Sequence, residues 1–186
     1  PQLPEAKNFL LPPMQVPEGV AWKAGEMPTV AEGLKIEKLA DGFKHPRQLY
    51  VLPNNDVLVV EGNGPAKPTT RPKQMIMGIV QKASGKGGEG GNSITLLRNH
   101  NGHWEKHPFI KGLSSPFGVQ LIGNTLYVAN ADSLMTFPYQ PGQTEITAAG
   151  KELTELPGGP INHHWTKSLL ASPDATKLYV LSLIHI

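Results

Sequence analysis

Two adjacent histidines, His163 and His164, lie in the run Gly158-Gly159-Pro160-Ile161-Asn162-His163-His164-Trp165-Thr166-Lys167, ahead of a short apolar stretch and a Pro173-Asp174 turn. A neutral imidazole takes a proton from a hydroxyl at working pH, so a histidine at the rim of a pocket is a general-base candidate. In a turn the same residue serves equally well by bonding backbone, and spacing alone leaves both readings open. His100, His103 and His107 are of metal-ligand type. Asn101-Gly102 reads as a hairpin turn, and although His103 and His107 share a strand face, no carboxylate completes the set, so an exposed turn is the expectation. Gly85-Lys86-Gly87-Gly88-Glu89-Gly90-Gly91 lacks the Ser/Thr and the helix start that a phosphate cradle needs, and reads as a flexible loop. Lys67, Arg71, Lys73, Lys82 and Lys86 form a mild basic stretch without interleaved aromatics, a poor nucleic-acid surface. Met75-Ile76-Met77-Gly78-Ile79-Val80 reads as a buried strand rather than a surface anchor, and no Gly-x-Ser-x-Gly nucleophile elbow occurs.

The elements that would position these groups belong to a turn-rich chain. It has 186 residues, no cysteine, and a net charge of +2 from 17 basic and 15 acidic residues. A charged fraction of 17% is below the roughly 25% of globular domains, which argues against a polyelectrolyte partner. The absence of cysteine removes disulfide frameworks, Cys-ligated zinc and thiol nucleophiles. No apolar run is long enough to cross a membrane as a helix.

Residues 1–33 are proline-rich with little periodicity and read as an extended lead-in or linker. A pattern then recurs: Gly42-Phe43-Lys44-His45-Pro46, Gly112-Leu113-Ser114-Ser115-Pro116 and Gly158 through Thr166 each precede an apolar run, a tight turn and a second run. Pro46 to Pro53, Pro116 to Gly123 and Thr166 to Pro173 are each seven residues. The same starts lie twelve, ten and twelve residues before Leu58, Leu126 and Leu178. Further hairpin pieces fall between the copies: Ser93–Leu97 with Trp104–Ile110, and Leu134–Pro138 with Glu145–Thr147 across a Pro141-Gly142 turn, followed by Lys151–Leu156. The spacing therefore predicts an all-β fold, a partial β-propeller of about two and a half to three four-stranded antiparallel blades over residues 34–180, with Lys82–Asn92 an insertion loop and no helix of ten residues or more.

The third motif, with Ala171-Ser172-Pro173-Asp174 and Lys177-Leu178-Tyr179-Val180, resembles the sorbosone dehydrogenase-like branch of the glucose/sorbosone dehydrogenases. Phe43-Lys44-His45-Pro46-Arg47 with Leu49–Pro53, and Ser115–Val119 with Leu126–Asn130, are similar to the same branch. The resemblance implies the N-terminal part of a six-bladed quinoprotein that oxidises a sugar, aldose or related aldehyde, using pyrroloquinoline quinone (PQQ) and calcium and passing electrons to a quinone or cytochrome. It implies a periplasmic or secreted protein, with His164, nine residues before the Pro-Asp turn, as general base. It further implies cofactor or substrate contacts at His163, Arg47 and Asn130, the main cofactor clamp and calcium ligands falling after the last residue here, and no metal ligand in this chain. His163 replaces an acidic residue of those relatives, and their pocket glutamine has no counterpart beside Leu113-Ser114. The alternatives are a non-catalytic propeller that binds protein or carbohydrate, and a calcium-dependent propeller lactonase, for which the blade mouths offer only Glu61, Asp132 and Asn130. Leu181-Ser182-Leu183-Ile184-His185-Ile186 is also the translation of a transposase sequencing adapter, so read-through rather than native chain is expected there.

Overall fold

The computed structural model describes residues 18–20, 22–65, 72–84, 90–158 and 164–183. The chain divides into two units, Pro1–Thr29 with Thr69–Gly88, and Val30–Pro68 with Glu89–Ile186. Ten strands fall in the second: β1 (Pro46–Val51), β2 (Val57–Glu61), β3 (Ser93–His100), β4 (His103–Ile110), β5 (Gly118–Ile122), β6 (Thr125–Ala129), β7 (Ser133–Pro138), β8 (Lys151–Glu155), β9 (Ser168–Ala171) and β10 (Leu178–Leu181). They pair antiparallel in chain order as β1-β2-β3-β4, β5-β6-β7-β8 and β9-β10, three sheets that do not close on themselves among the described residues.

The first unit corrects an expectation. Residues 75–80 belong not to a buried strand but to α1 (Pro72–Ala83), twelve residues long, in which Met75, Ile76, Met77 and Ile79 are exposed. Unbranched Met and Gln favour a helix, Pro72 suits the first helical position, and Lys82 lies in the last turn where the helix dipole favours a cation. Lys82 and Ala83 are thus helical rather than part of an insertion loop, and residues 85–89 of the glycine-rich stretch lie outside the described residues.

The turns explain the sheets. Asn101 and Gly102 both have positive φ (52° and 88°), as a two-residue hairpin between β3 and β4 requires, and His100 pairs with His103 across it. Gly123 (φ 56°) opens the turn between β5 and β6. The first and third hairpins differ despite their equal spacing. Val51 pairs with Val57 in one, but Ala171 pairs with Leu178 in the other, so the third loop holds one residue more. Leu178 therefore points to the face opposite that of Leu58, because one step of register exchanges the faces. A second correction concerns β7: its partner is Lys151–Glu155, not Glu145–Thr147. The Ile146 amide instead donates to the Phe109 carbonyl (2.8 Å), seating this segment at the end of β4.

Alternation of side chains gives each sheet two faces with different neighbours. Leu52, Leu58, Val60, Ile94 and Leu96 of the first sheet pack against Val119, Leu126, Val128 and Phe137 of the second. The second sheet's other face, with Ala129 and Leu134, packs against Leu169, Leu178 and Val180 of the third. Tyr50 crosses the first seam, its hydroxyl accepting from the Leu121 amide (3.1 Å) and the Gln120 side chain (3.2 Å). Full burial of each aliphatic side chain is worth about 1.5–3 kcal/mol, so the two seams carry most of the stability. Leu49 and Val51 at one end of the stack, and Leu170, Tyr179 and Leu181 at the other, stay exposed.

Candidate functional site

The first strands of the three sheets lie side by side, β1 against β5 and β5 against β9. Their starts therefore converge, and the residue after Pro46, Pro116 and Thr166 is Arg47, Phe117 and Lys167 respectively. Two glycines permit the approach. A Cβ on Gly62 would meet the Pro116 carbonyl oxygen at 2.3 Å, and one on Gly118 would meet the Lys167 carbonyl oxygen at 2.3 Å. Any side chain there would force the sheets apart.

Trp165 is the centre of the cluster at this end. The Arg47 guanidinium carbon stands 5.8 Å from the centre of its ring, and Phe117 meets it edge-on at 6.0 Å between centroids. A cation over an indole and a perpendicular aromatic pair are both favourable. Arg47 is held in place: Nε donates to the Gly62 carbonyl (3.0 Å) and Nη2 to Asn63 Oδ1 (3.1 Å). Residues associated with all three sheets thus form one surface, a half-buried aromatic pair with the exposed Arg47 guanidinium over it and His164 exposed in the residue before Trp165.

His164 precedes Trp165, and its carbonyl accepts a hydrogen bond from Lys167 Nζ at 3.1 Å. Lys167 is wholly buried, and burial holds its ammonium below the usual lysine range. Of the two sequence-predicted histidines, His164 is thereby placed beside the Arg47–Trp165–Phe117 cluster, while His163 lies outside the described residues.

Asn130 has a different position. It is buried, Oδ1 accepts from the Ser114 amide (3.3 Å) and Nδ2 donates to Ser133 Oγ (3.2 Å). Glu61 does the corresponding work in the first sheet: Oε1 accepts from the Lys44 amide and Oε2 from the Thr95 hydroxyl, each at 2.6 Å. Lys44 and Ser114 hold the same place in Gly42–Pro46 and Gly112–Pro116, so both side chains clasp the loop that leads into a first strand. The two loops also share two left-handed positions. Gly42 and Gly112 both have φ of 73°, and His45 and Ser115, each before a proline, have φ of 53° and 49°. A left-handed residue before proline is doubly disfavoured, so its recurrence marks a conformation imposed by the surrounding packing.

The histidine-rich hairpin holds a carboxylate that sequence reasoning passed over. Glu105 Oε2 lies 3.7 Å from His100 Nε2 and 3.5 Å from His107 Nε2. Even so, no group of three His, Cys, Asp or Glu side chains among the described residues is arranged to hold a metal ion. A cleft of about 340 Å³ is lined by Phe109, Leu113, Asn130, Phe137 and Ile146 among others, and neither Trp165 nor His164 contributes to its wall. No described helix is long and apolar enough to cross a membrane.

The chief residues missed from sequence are Trp165 and Lys167. The signal is in the spacing: once the repeats are aligned on their turns, Lys167 stands in register with Arg47 and Phe117, and Trp165 with His45 and Ser115. Comparison with models of protein families, with curated proteins and with solved structures returns no match.

Proposed function

We propose that this chain forms the first blades of a six-bladed β-propeller dehydrogenase of the glucose/sorbosone type, oxidising a sugar, aldose or related aldehyde, with His164 as the base that takes the hydroxyl proton. The observation that carries the reading is the meeting of Arg47, Phe117, Trp165 and His164 where three first strands begin. In a propeller those strands line the central channel, and small-molecule sites gather at its mouth. A half-buried indole flanked by a guanidinium suits a polyhydroxylated ring, which offers C–H groups to the aromatic and oxygens to the cation. The exposed imidazole beside it has the chemistry and access of a proton acceptor.

PQQ and calcium fit the described residues poorly. Arg47 is the exposed cation of the cluster, and two of its nitrogens already serve Gly62 and Asn63. Lys167 is buried under the His164 carbonyl, and the Glu61 oxygens are engaged by Lys44 and Thr95. These residues do not clamp a tricarboxylate quinone or a calcium ion by themselves. That observation favours a second reading, a non-catalytic propeller that binds a carbohydrate at the same mouth.

The test is dye-linked oxidation of aldoses and aldehydes by the complete gene product supplied with PQQ and calcium. The expected result is quinone-dependent turnover that falls on the order of 100-fold or more in His164→Ala, with the circular dichroism spectrum unchanged. Normal turnover in His164→Ala removes the assignment of the base. Sugar binding without turnover, abolished by Trp165→Ala, establishes the second reading.

A further inference from the structure

We propose that Lys167 is the positioning residue of His164, a buried cation kept to hold the base in place and not to stabilise the sheets; the proposal rests on His164 being the functional group of this mouth. A lysine is almost never fully buried without a countercharge, because desolvating the ammonium is costly. Lys167 is 0% exposed, yet the carbonyl oxygen of His164, 3.1 Å away, is the partner that takes its Nζ. Burial lowers its pKa, and no carboxylate among the described residues forms an ion pair with it.

The geometry says what that bond secures. Residues 164–167 form no strand, and β9 begins only at Ser168. The segment is tied at one end by the close passage of the Lys167 carbonyl against Gly118, and in its middle by Trp165 against Phe117 and Arg47. The Nζ bond adds a tie at the His164 end. It turns three residues back on themselves and fixes the peptide of His164, and with it the direction in which the imidazole leaves the backbone. Arg47 holds the same place in the first sheet and also turns its cation onto a carbonyl, that of Gly62. In the third sheet that use of a long cationic side chain is directed at the candidate base.

The proposal separates stability from positioning, because replacing a buried uncompensated charge by an apolar side chain of similar shape tends to stabilise a fold. The test compares Lys167→Met and Lys167→Arg with the parent chain. Two readouts need no catalysis: the thermal midpoint, and the rate at which diethyl pyrocarbonate modifies His164, followed by peptide mass spectrometry. The expected pattern for Lys167→Met is an equal or higher midpoint together with several-fold faster modification of His164, with Lys167→Arg returning the rate to that of the parent. In the complete gene product, if it turns over, kcat should fall on the order of 10- to 100-fold at unchanged KM, as misplacement of a catalytic group predicts. A lower midpoint with unchanged modification overturns the proposal and makes Lys167 a packing residue. So does a Lys167→Met chain that fails to fold while Lys167→Arg folds. Failure of the dehydrogenase reading leaves the labelling result intact, so the two are distinguished.

Discussion

Replacing Asp56 by asparagine removes a single charge from the most buried ion pair among the described residues. Asp56 is buried at the end of the first hairpin, and Arg98 of β3 approaches it in two-pronged fashion, Nε to Oδ1 at 3.0 Å and Nη2 to Oδ2 at 2.5 Å. Asn54 donates a further bond to Oδ2 (2.8 Å), and Arg98 extends to the Gly142 carbonyl (3.0 Å), tying the first sheet to the loop after β7. The side chains are 5% and 20% exposed, so water screens the pair only partly. Breaking a buried pair by removing one partner costs about 3–5 kcal/mol, and the partial exposure of Arg98 with an amide left in place brings the expectation for Asp56→Asn to about 2–3 kcal/mol. For a unit of this size that is a fall in thermal midpoint of roughly 5–12 °C.

The pH dependence has a definite sign. Hydrogen bonding from Arg98 holds the Asp56 carboxyl below its ordinary range, opposed by burial. A carboxyl whose pKa is lower folded than unfolded adds stability that is complete above the unfolded value, about 3.9, and is lost as pH falls through the folded value. Urea denaturation at pH 7 and pH 3, on the parent, Asp56→Asn, Arg98→Met and the double variant, measures both effects. The parent should lose more stability than Asp56→Asn between the two pH values, and the cycle should give a coupling above about 1.5 kcal/mol at pH 7. A loss below about 0.5 kcal/mol in Asp56→Asn would refute the reasoning and class the pair with exposed ion pairs.

Two further outcomes are expected. Asn130→Ala should destabilise by about 1–3 kcal/mol in thermal denaturation, since it removes the acceptor of the Ser114 amide and the donor to buried Ser133, while leaving the proposed sugar binding beside Trp165 intact; weakened binding without loss of stability would instead return Asn130 to the ligand. Gly118→Ala should cost about 1–3 kcal/mol by overpacking against the Lys167 carbonyl and should loosen β9 first, which amide hydrogen exchange at Leu169 and Leu170 would register; unchanged exchange there would disprove the close seam.

Most of the strand content was legible because apolar alternation and turn chemistry are local. Asn101-Gly102 and Gly123-Asn124 select their hairpins without help from the rest of the chain, and the copies at Pro46, Pro116 and Thr166 could be aligned by counting. What failed was not local. Met75–Val80 has the composition of a strand and of a helix alike, and an apolar run of that length carries no periodicity able to choose between them. The partner of β7 was misassigned because Pro141-Gly142 makes a turn but the strand returns nine residues later. Beside Trp165, the sequence marks Arg47 and His164 as candidates and gives Trp165 and Lys167 no role of their own. Their contacts join residues about fifty to one hundred and twenty positions apart, which no single-motif reading registers. Asn130 is legible as a residue near a strand end, but the Ser114 loop it clasps, whose bond joins residues sixteen positions apart, is not.

The left-handed residues before Pro46 and Pro116 have a consequence for how the chain tolerates change. Gly42–Pro46 and Gly112–Pro116 have only their glycine and proline in common, yet both turn left-handed at the glycine and again before the proline. In a saturation-mutagenesis library the two sites should therefore return matching profiles: position 45 and position 115 accepting Gly, Asn or Asp and rejecting Val, Ile and Thr, whatever their different surroundings prefer. Such paired profiles would be a record of the repeat written in mutational tolerance, legible where the amino acids themselves have diverged.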